Sequence, residues 1–234
     1  MSQFERARKA AAKEAIMIVQ DGQTVGLGSG KTMAYAIEEL STRVKEEGLK
    51  ISVIPTSFQA EVLALMHNLR CISALNCLQR IDIALDGADV VEKRSLNLIK
   101  GKGGALTREK IVDSFSKKLI VIIDEGKLVE CFKPEHSVPV EVLPFCFKIT
   151  VERIKGLGGN AVLREALSKV GPAITDNGNF ILDVNFGEMK NPYEIDKKLK
   201  MIPGVIETGF FLDMTSQVFV GKSDGSVEIL YKKT

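Results

Sequence analysis

Residues 24–68 read TVGLGSGKTMAYAIEELSTRVKEEGLKISVIPTSFQAEVLALMHN. Two short apolar runs, 24–27 and 51–54, stop at Gly28 and Pro55, and each precedes a longer stretch, 32–45 and 58–68, with apolar residues at helical spacing. The alternation continues, with 81–85 and 119–123 reading as buried strands and 107–115 as a helix. Strand–helix alternation of this kind predicts a parallel sheet covered by helices on both faces. In such sheets ligands bind outside the carboxyl ends of the strands, so polar clusters that follow strands carry the search for a site.

Upstream, MSQFERARKAAAKEAIMIVQDG mixes charges with small apolar residues at helical spacing and reads as an amphipathic helix. It has neither the apolar core of a signal peptide nor the length of apolar chain a membrane span needs. Downstream of Pro134 the texture changes. Residues 138–142 look like a strand, 150–155, 164–169 and 193–201 look helical, and Asn177-Gly178 between apolar runs signals a hairpin. This predicts a small α+β unit, after which 218–220 and 227–230 return to the first sheet.

Of 234 residues 26% are charged, yet the formal charge is only +2 with both signs interspersed, which argues against a nucleic-acid partner. Cys71, Cys77, Cys131 and Cys146 show no C-x-x-C spacing and none lies within four residues of His67 or His136, so neither a zinc site nor a disulfide framework is expected. The thiols suit a reducing cytoplasm. Without a metal, chemistry that needs positive charge must draw it from lysines or backbone dipoles.

Three clusters follow predicted strands. Gly26-Leu-Gly-Ser-Gly-Lys-Thr32 can present backbone N–H groups to an anion at a helix start. It is not a Walker A loop, because Val25 stands five before Gly30, nor a dinucleotide fingerprint, because Lys31 takes the third glycine position. A tight turn without ligand explains it equally well. Asp86-Gly-Ala-Asp89 places two carboxylates where mutual repulsion would raise one pKa, though an N-cap plus a turn Asp gives the same pattern. Lys100-Gly-Lys-Gly-Gly-Ala-Leu-Thr-Arg-Glu109-Lys110 supplies a loop cation and a carboxylate near a helix start. These are the ingredients for proton abstraction beside a carbonyl, with Glu109 taking the proton and Lys100 holding the enediolate oxygen; an exposed charged helix start is the plain alternative. Ser57 could offer a hydroxyl or cap a helix, and Lys127 could reach a phosphate or face water. His67 and His136 read as structural or exposed, and Phe210, Phe211 and Phe219 as core strand residues.

Seven motifs in order, G-L-G-S-G-K-T, P-T-S-F-Q, D-G-A-D, L-I-K-G-K-G-G-A-L-T-R-E-K, P-V-E-V-L-P, T-D-N-G-N-F-I-L-D and I-P-G-V-I-E-T-G-F-F, run along nearly the whole chain. Together they closely resemble ribose-5-phosphate isomerases of the A type. The resemblance implies a doubly wound, Rossmann-like catalytic domain formed by residues 1–132 and 206–234, with a smaller ferredoxin-like α+β lid at 133–205. It implies interconversion of ribose 5-phosphate and ribulose 5-phosphate in the pentose phosphate pathway, in a cytoplasmic homo-oligomer, dimeric or tetrameric, without cofactor, metal or membrane. By the same resemblance Ser29, Gly30, Lys31, Thr32 and Lys127 contact substrate, the loop chiefly at its phosphate. Asp86 and Asp89 bind sugar hydroxyls, one of them aiding ring opening, with Gly87 and Ala88 between them. Lys100 stabilises the enediolate, Lys100, Gly101, Lys102 and Gly103 line the site, and Glu109 is the general base.

The chain departs from the family's pattern at three places: Lys31 replaces a small residue, Lys102 a glycine, and Val90 an acid. Two other readings share related folds. A sugar-phosphate sensor would normally carry a DNA-binding module, whereas this chain opens on its first helix. An acyl-CoA transferase would need an additional region to hold CoA.

Overall fold

The computed structural model describes residues 2–72, 80–168 and 170–232. In chain order it comprises α1 (Gln3–Ala15), β1 (Thr24–Leu27), α2 (Lys31–Glu47), β2 (Ser52–Pro55), α3 (Phe58–Met66), β3 (Ile83–Gly87), β4 (Val90–Glu92), β5 (Leu98–Ile99) and α4 (Leu106–Phe115). There follow β6 (Leu119–Asp124), β7 (Leu128–Val129), β8 (Val138–Val142), α5 (Phe147–Gly156), β9 (Asn160–Leu163), β10 (Phe180–Asn185) and α6 (Pro192–Lys200). The chain ends with β11 (Val205–Thr208), β12 (Phe210–Phe211), β13 (Thr215–Gly221) and β14 (Val227–Tyr231).

The main sheet has the order β14-β13-β6-β3-β1-β2, with β14 antiparallel at one edge and every other pair parallel. From β1 the chain moves to β2 on one side, then returns to β3 on the other. The carboxyl ends of β1 and β3 therefore flank a topological switch point, where such sheets open a crevice.

All six residues of β6 are buried, which is why the run 119–123 carries no alternation: both of its faces are covered. Ile120 and Ile122 join Val25, Leu27, Leu85 and Phe219 beneath α1, α2 and α3. Leu119, Val121 and Ile123 pack on the opposite side with Leu98 and Phe211. That second face differs from the expectation of helices on both sides. Val112 of α4 covers Ile54 and Ile81, and the rest lies under a four-stranded sheet, β12-β5-β4-β7. Those strands are two or three residues long, too short to show a period in the sequence.

The second unit runs β8-α5-β9-β10-α6-β11, with sheet order β11-β8-β10-β9 and every pair antiparallel, the split βαβ arrangement. Its core joins Val138, Val140, Leu182, Val184, Ile154 and Leu199 to Ile99, Phe132 and Phe210. In β12, Phe210 enters this core while its neighbour Phe211 enters the core of the main sheet, as pleated neighbours must.

Several local expectations are corrected. Residues 164–168 are not helical (Lys169 and Cys77 lie outside the described residues). Arg164 donates its N–H to Ile181 O at 2.9 Å, Ala173 returns a hydrogen bond to Arg164 O, and Glu165 pairs with Pro172. The amphipathic period there has no partner surface, and Leu167 is fully exposed. The Asn177-Gly178 turn does form, with Gly178 at φ +78° and its N–H bonded to Thr175 O, but its arms form no ladder beyond the Thr175 N–H bond to Asn179 O and the isolated bridge of Ile174 with Phe180. β10 instead runs between β8 and β9. Helix α3 stops at Met66, because Asn68 turns left-handed at φ 58° and Leu69 N–H caps Ala64 O. The third strand lies two residues later than 81–85, with Ile81 reduced to an isolated bridge to Ser116.

Candidate functional site

The site begins at the switch point. The N–H of Gly28 bonds to Leu85 O, bringing the β1 and β3 ends together, and a Cβ at Gly28 would lie 1.8 Å from Asp86 Oδ1. Only glycine permits the Asp86 carboxyl to sit there. Asp86 is fully buried, with Oδ1 accepting from Gly87 N at 2.6 Å and Oδ2 lying 3.0 Å from Lys100 Nζ.

Lys100 is placed by the antiparallel pairing of β5 with β12. Its N–H bonds to Gly209 O, and Gly209 must lack a side chain because a Cβ would stand 2.4 Å from Lys100 O. The buried ammonium donates to Gly87 O at 2.5 Å, lies 3.2 Å from Glu109 Oε2 and stands 5.3 Å from the centre of the Phe211 ring. Burial opposes its charge, but Asp86, Glu109 and Asp113 hold its proton affinity above the ordinary lysine value.

Glu109 is in the first turn of α4, into which the glycine-rich stretch leads. It is 5% exposed, and desolvation, reinforced by the Asp86 charge, pushes its pKa up to about 7 against the pull of Lys100. A carboxyl poised near neutrality beside a fixed ammonium can accept a proton while charge develops on an adjacent oxygen.

Lys100 and Glu109 border a cavity of about 710 Å³ lying between the main sheet and the second unit. Ser29, Gly30, Lys31, Thr32, Gly87, Ala88, Asp89, Lys100, Gly101, Lys102, Gly103, Glu109 and Lys127 all line it. Asp86 does not: it is fully buried and touches two of the lining residues, Gly87 and Lys100. Asp89 is half-buried, and its Oδ2 accepts from Lys102 N at 2.8 Å while the Lys102 side chain is exposed. Lys127 donates to Ala88 O, and burial lowers its proton affinity.

At the other end, α2 opens at Gly30, and Gly30, Lys31 and Thr32 at its start line the cavity, with the Lys31 side chain exposed at the rim. Ser29 Oγ reaches Ser57 Oγ at 2.7 Å and Thr56 Oγ1 at 3.0 Å, and Gly30 N donates to Gln59 Oε1. Ser57 serves both readings of it: it caps α3 by accepting from Ala60 N and it lines the cavity.

Four contributors escaped the sequence reading. Arg8 reaches the cavity from α1 and pairs with the buried Asp124 at 2.8 Å. Gln59 holds the α2 loop. Arg164, bound to Asp183, donates to Gly101 O and Lys102 O and so fixes the glycine-rich loop from the second unit. Asp113, one turn beyond Glu109, adjoins Asp86. The second unit also contributes the turn 175–179. Buried Glu141 accepts from Thr175, Asn177, Asn179 and Thr107, while Asp176 accepts from Phe58 N at 2.8 Å. The histidines stand apart: His67 meets Ser41, and His136 accepts from Lys133 N. Among the described residues, no group of three or more His, Cys, Asp or Glu is arranged to hold a metal ion, and no helix is long and apolar enough to cross a membrane.

Comparison with known proteins gives the geometry its family. The family described as ribose 5-phosphate isomerase A (phosphoriboisomerase A) matches residues 52–225. A ribose-5-phosphate isomerase A of Methanococcus aeolicus is 45% identical over 222 residues, 95% of this chain and 93% of its own length. The solved structure of the Methanocaldococcus jannaschii ribose 5-phosphate isomerase A has 42% identity and a TM-score of 0.92, covering 97% of this chain and 98% of that one. A D-ribose-5-phosphate isomerase in complex with phospho-erythronic acid has 41% identity and a TM-score of 0.93, covering 98% and 99% of the two chains. With motifs, fold and relatives in agreement over nearly its whole length, the chain belongs to the ribose 5-phosphate isomerase A family.

Proposed function

We propose that the cavity between the β1 and β3 ends is where this isomerase interconverts D-ribose 5-phosphate and D-ribulose 5-phosphate, with Glu109 as the base. The observation that carries the reading is the contact of Glu109 with Lys100, a carboxyl at about pKa 7 lying 3.2 Å from an ammonium. Glu109 takes the proton from C2 of the open-chain aldose. The C2–H electron pair becomes the C1–C2 double bond, and the carbonyl pair moves onto O1, giving an enediolate. Lys100, itself buried, stabilises the developing oxyanion as a fixed charge held in place before the reaction. Return of the proton to C1, with O2 reverting to a carbonyl and its proton passing to O1, completes the ketose.

Asp89, at the cavity wall, takes sugar hydroxyls and assists ring opening. Asp86, which the cavity does not reach, acts by pairing Lys100. The Ser29–Thr32 loop and the α2 N-terminus take the phosphate, with Lys127, Lys31 and Arg8 adding positive charge. The phospho-erythronic acid held by a relative fits this division: a phosphate at one end and, at the other, a planar carbon bearing two oxygens like the enediolate. We read residues 133–205 as a lid, since Arg164 and the turn 175–179 reach the cavity from that unit, and residues 1–132 with 206–234 as the catalytic domain. We also read the chain as a cytoplasmic homo-oligomer. Leu143, Phe145 and Ile149 lie exposed around the start of α5, with Phe145 at 99%, and a second copy would cover them.

Steady-state turnover of ribose 5-phosphate by wild type and Glu109→Gln tests the reading. Glutamine keeps the shape and loses the base, so kcat should fall by about 10²–10⁴-fold while KM changes little. A fall of less than about tenfold, below the range for a positioned base, removes Glu109 from the role.

A further inference from the structure

Asp113 lies four residues beyond Glu109 on α4, a spacing that puts both carboxyls on one helix face. It is 3% exposed, and neither carboxyl oxygen has a hydrogen-bond partner. Beside it, Asp86 Oδ2 is paired with the Lys100 ammonium at 3.0 Å but accepts no well-formed hydrogen bond. An orphaned buried carboxyl is costly, and two that adjoin are costlier if both are charged. One proton removes both problems, by neutralising one carboxyl and supplying the donor that the other lacks.

We propose that Asp113 is a positioning residue: its carboxyl carries a proton and donates it to Oδ2 of Asp86. Asp86 is then fixed from three sides, by Gly87 N–H on Oδ1, Lys100 on Oδ2 and Asp113 on Oδ2. The ammonium it pairs is thereby held beside Glu109. The groups facing Asp113 are Asp86 from the end of β3, Lys100 from the stretch after β5 and Glu109 from its own helix. Desolvation and the Asp86 charge raise its pKa well above the ordinary aspartate value, and Lys100 only partly offsets them. With Asp113 neutral, the cluster holds Lys100 against Asp86 and beside Glu109. The inference rests on the reading of Glu109 as base, which it deepens.

The test separates the two. An infrared spectrum of the purified enzyme at pH 8 should show the carbonyl stretch of a protonated carboxyl. That band should vanish in Asp113→Asn and persist in Glu109→Gln, whatever the role of Glu109. In turnover, Asp113→Val removes the donor and should lower kcat by about ten- to a hundredfold, the worth of one hydrogen bond to a charged group. Asp113→Asn, whose amide still donates, should recover most of that loss. A band that survives Asp113→Asn, or its absence from wild type at pH 8, overturns the proposal even if the valine variant does not fold. Equal losses in the two variants also overturn it, since a donor would then not be what matters.

Discussion

Holding Glu109 near neutrality should destabilise the fold in a defined pH window, and Glu109→Gln should remove that penalty. The side chain titrates at an ordinary value of 4.5 when unfolded and at about 7 when folded, so between these pH values the native state keeps a proton that the unfolded state has released. Stability from this group is therefore fully present below about pH 4.5 and is lost as pH rises through about 7. The gap from 4.5 to about 7, at about 1.4 kcal/mol per pH unit, amounts to about 3 kcal/mol. Glutamine has no proton to release. The stability of Glu109→Gln relative to wild type should thus increase by about 3 kcal/mol between pH 4 and pH 8, while activity is lost. Urea unfolding at one protein concentration across that range reads the difference directly. Parallel stability curves for the two proteins would show that Glu109 is not held protonated by its surroundings, and the assignment of a neutral-range base would fall with it.

Gly28→Ala drives a methyl group to within 1.8 Å of Asp86 Oδ1, so either the β1 end or Asp86 must move. Turnover should fall at least as much as in Asp113→Val, and a fully active alanine variant would show that the Asp86 position does not matter. Lys31→Ser should raise KM for ribose 5-phosphate and flatten its dependence on ionic strength, because the Lys31 ammonium is exposed at the rim and salt screens its pull on a phosphate dianion. An unchanged salt slope retires that contact.

The strand–helix alternation and the three strand-end clusters were readable because each depends on neighbours in sequence. Gly28 precedes its helix by three residues, and Lys100 precedes Glu109 by nine. The fixed short spacing of a βα turn carries the chemistry with it. What could not be read depends on long closures. Arg8 meets Asp124 across 116 residues, and nothing in a charge-rich first helix singles it out. Arg164 looked like the start of an amphipathic helix, but its guanidinium is occupied by Asp183 and the glycine-rich loop, and the residues after it find no apolar surface. The Asn177-Gly178 turn was legible as a turn, whereas the strand leaving it is paired by sheet order and not by proximity. Asp113 is a different case. Its spacing from Glu109 was visible, but an acid on a short helix reads as solvated until the packing of Val112 against β1 turns that face inward.

The central claim is that one carboxyl, Glu109, carries a proton between C2 and C1. Proton NMR of ribose 5-phosphate equilibrated with the enzyme in D₂O tests it most directly. Wild type should exchange the C2 hydrogen for deuterium during turnover, because a base at about pKa 7 shares its captured proton with solvent before returning it. Glu109→Gln should leave the C2 hydrogen in place while still binding phospho-erythronic acid as tightly as wild type. Exchange in Glu109→Gln within about tenfold of the wild-type rate, too small a loss for a missing general base, would contradict the account.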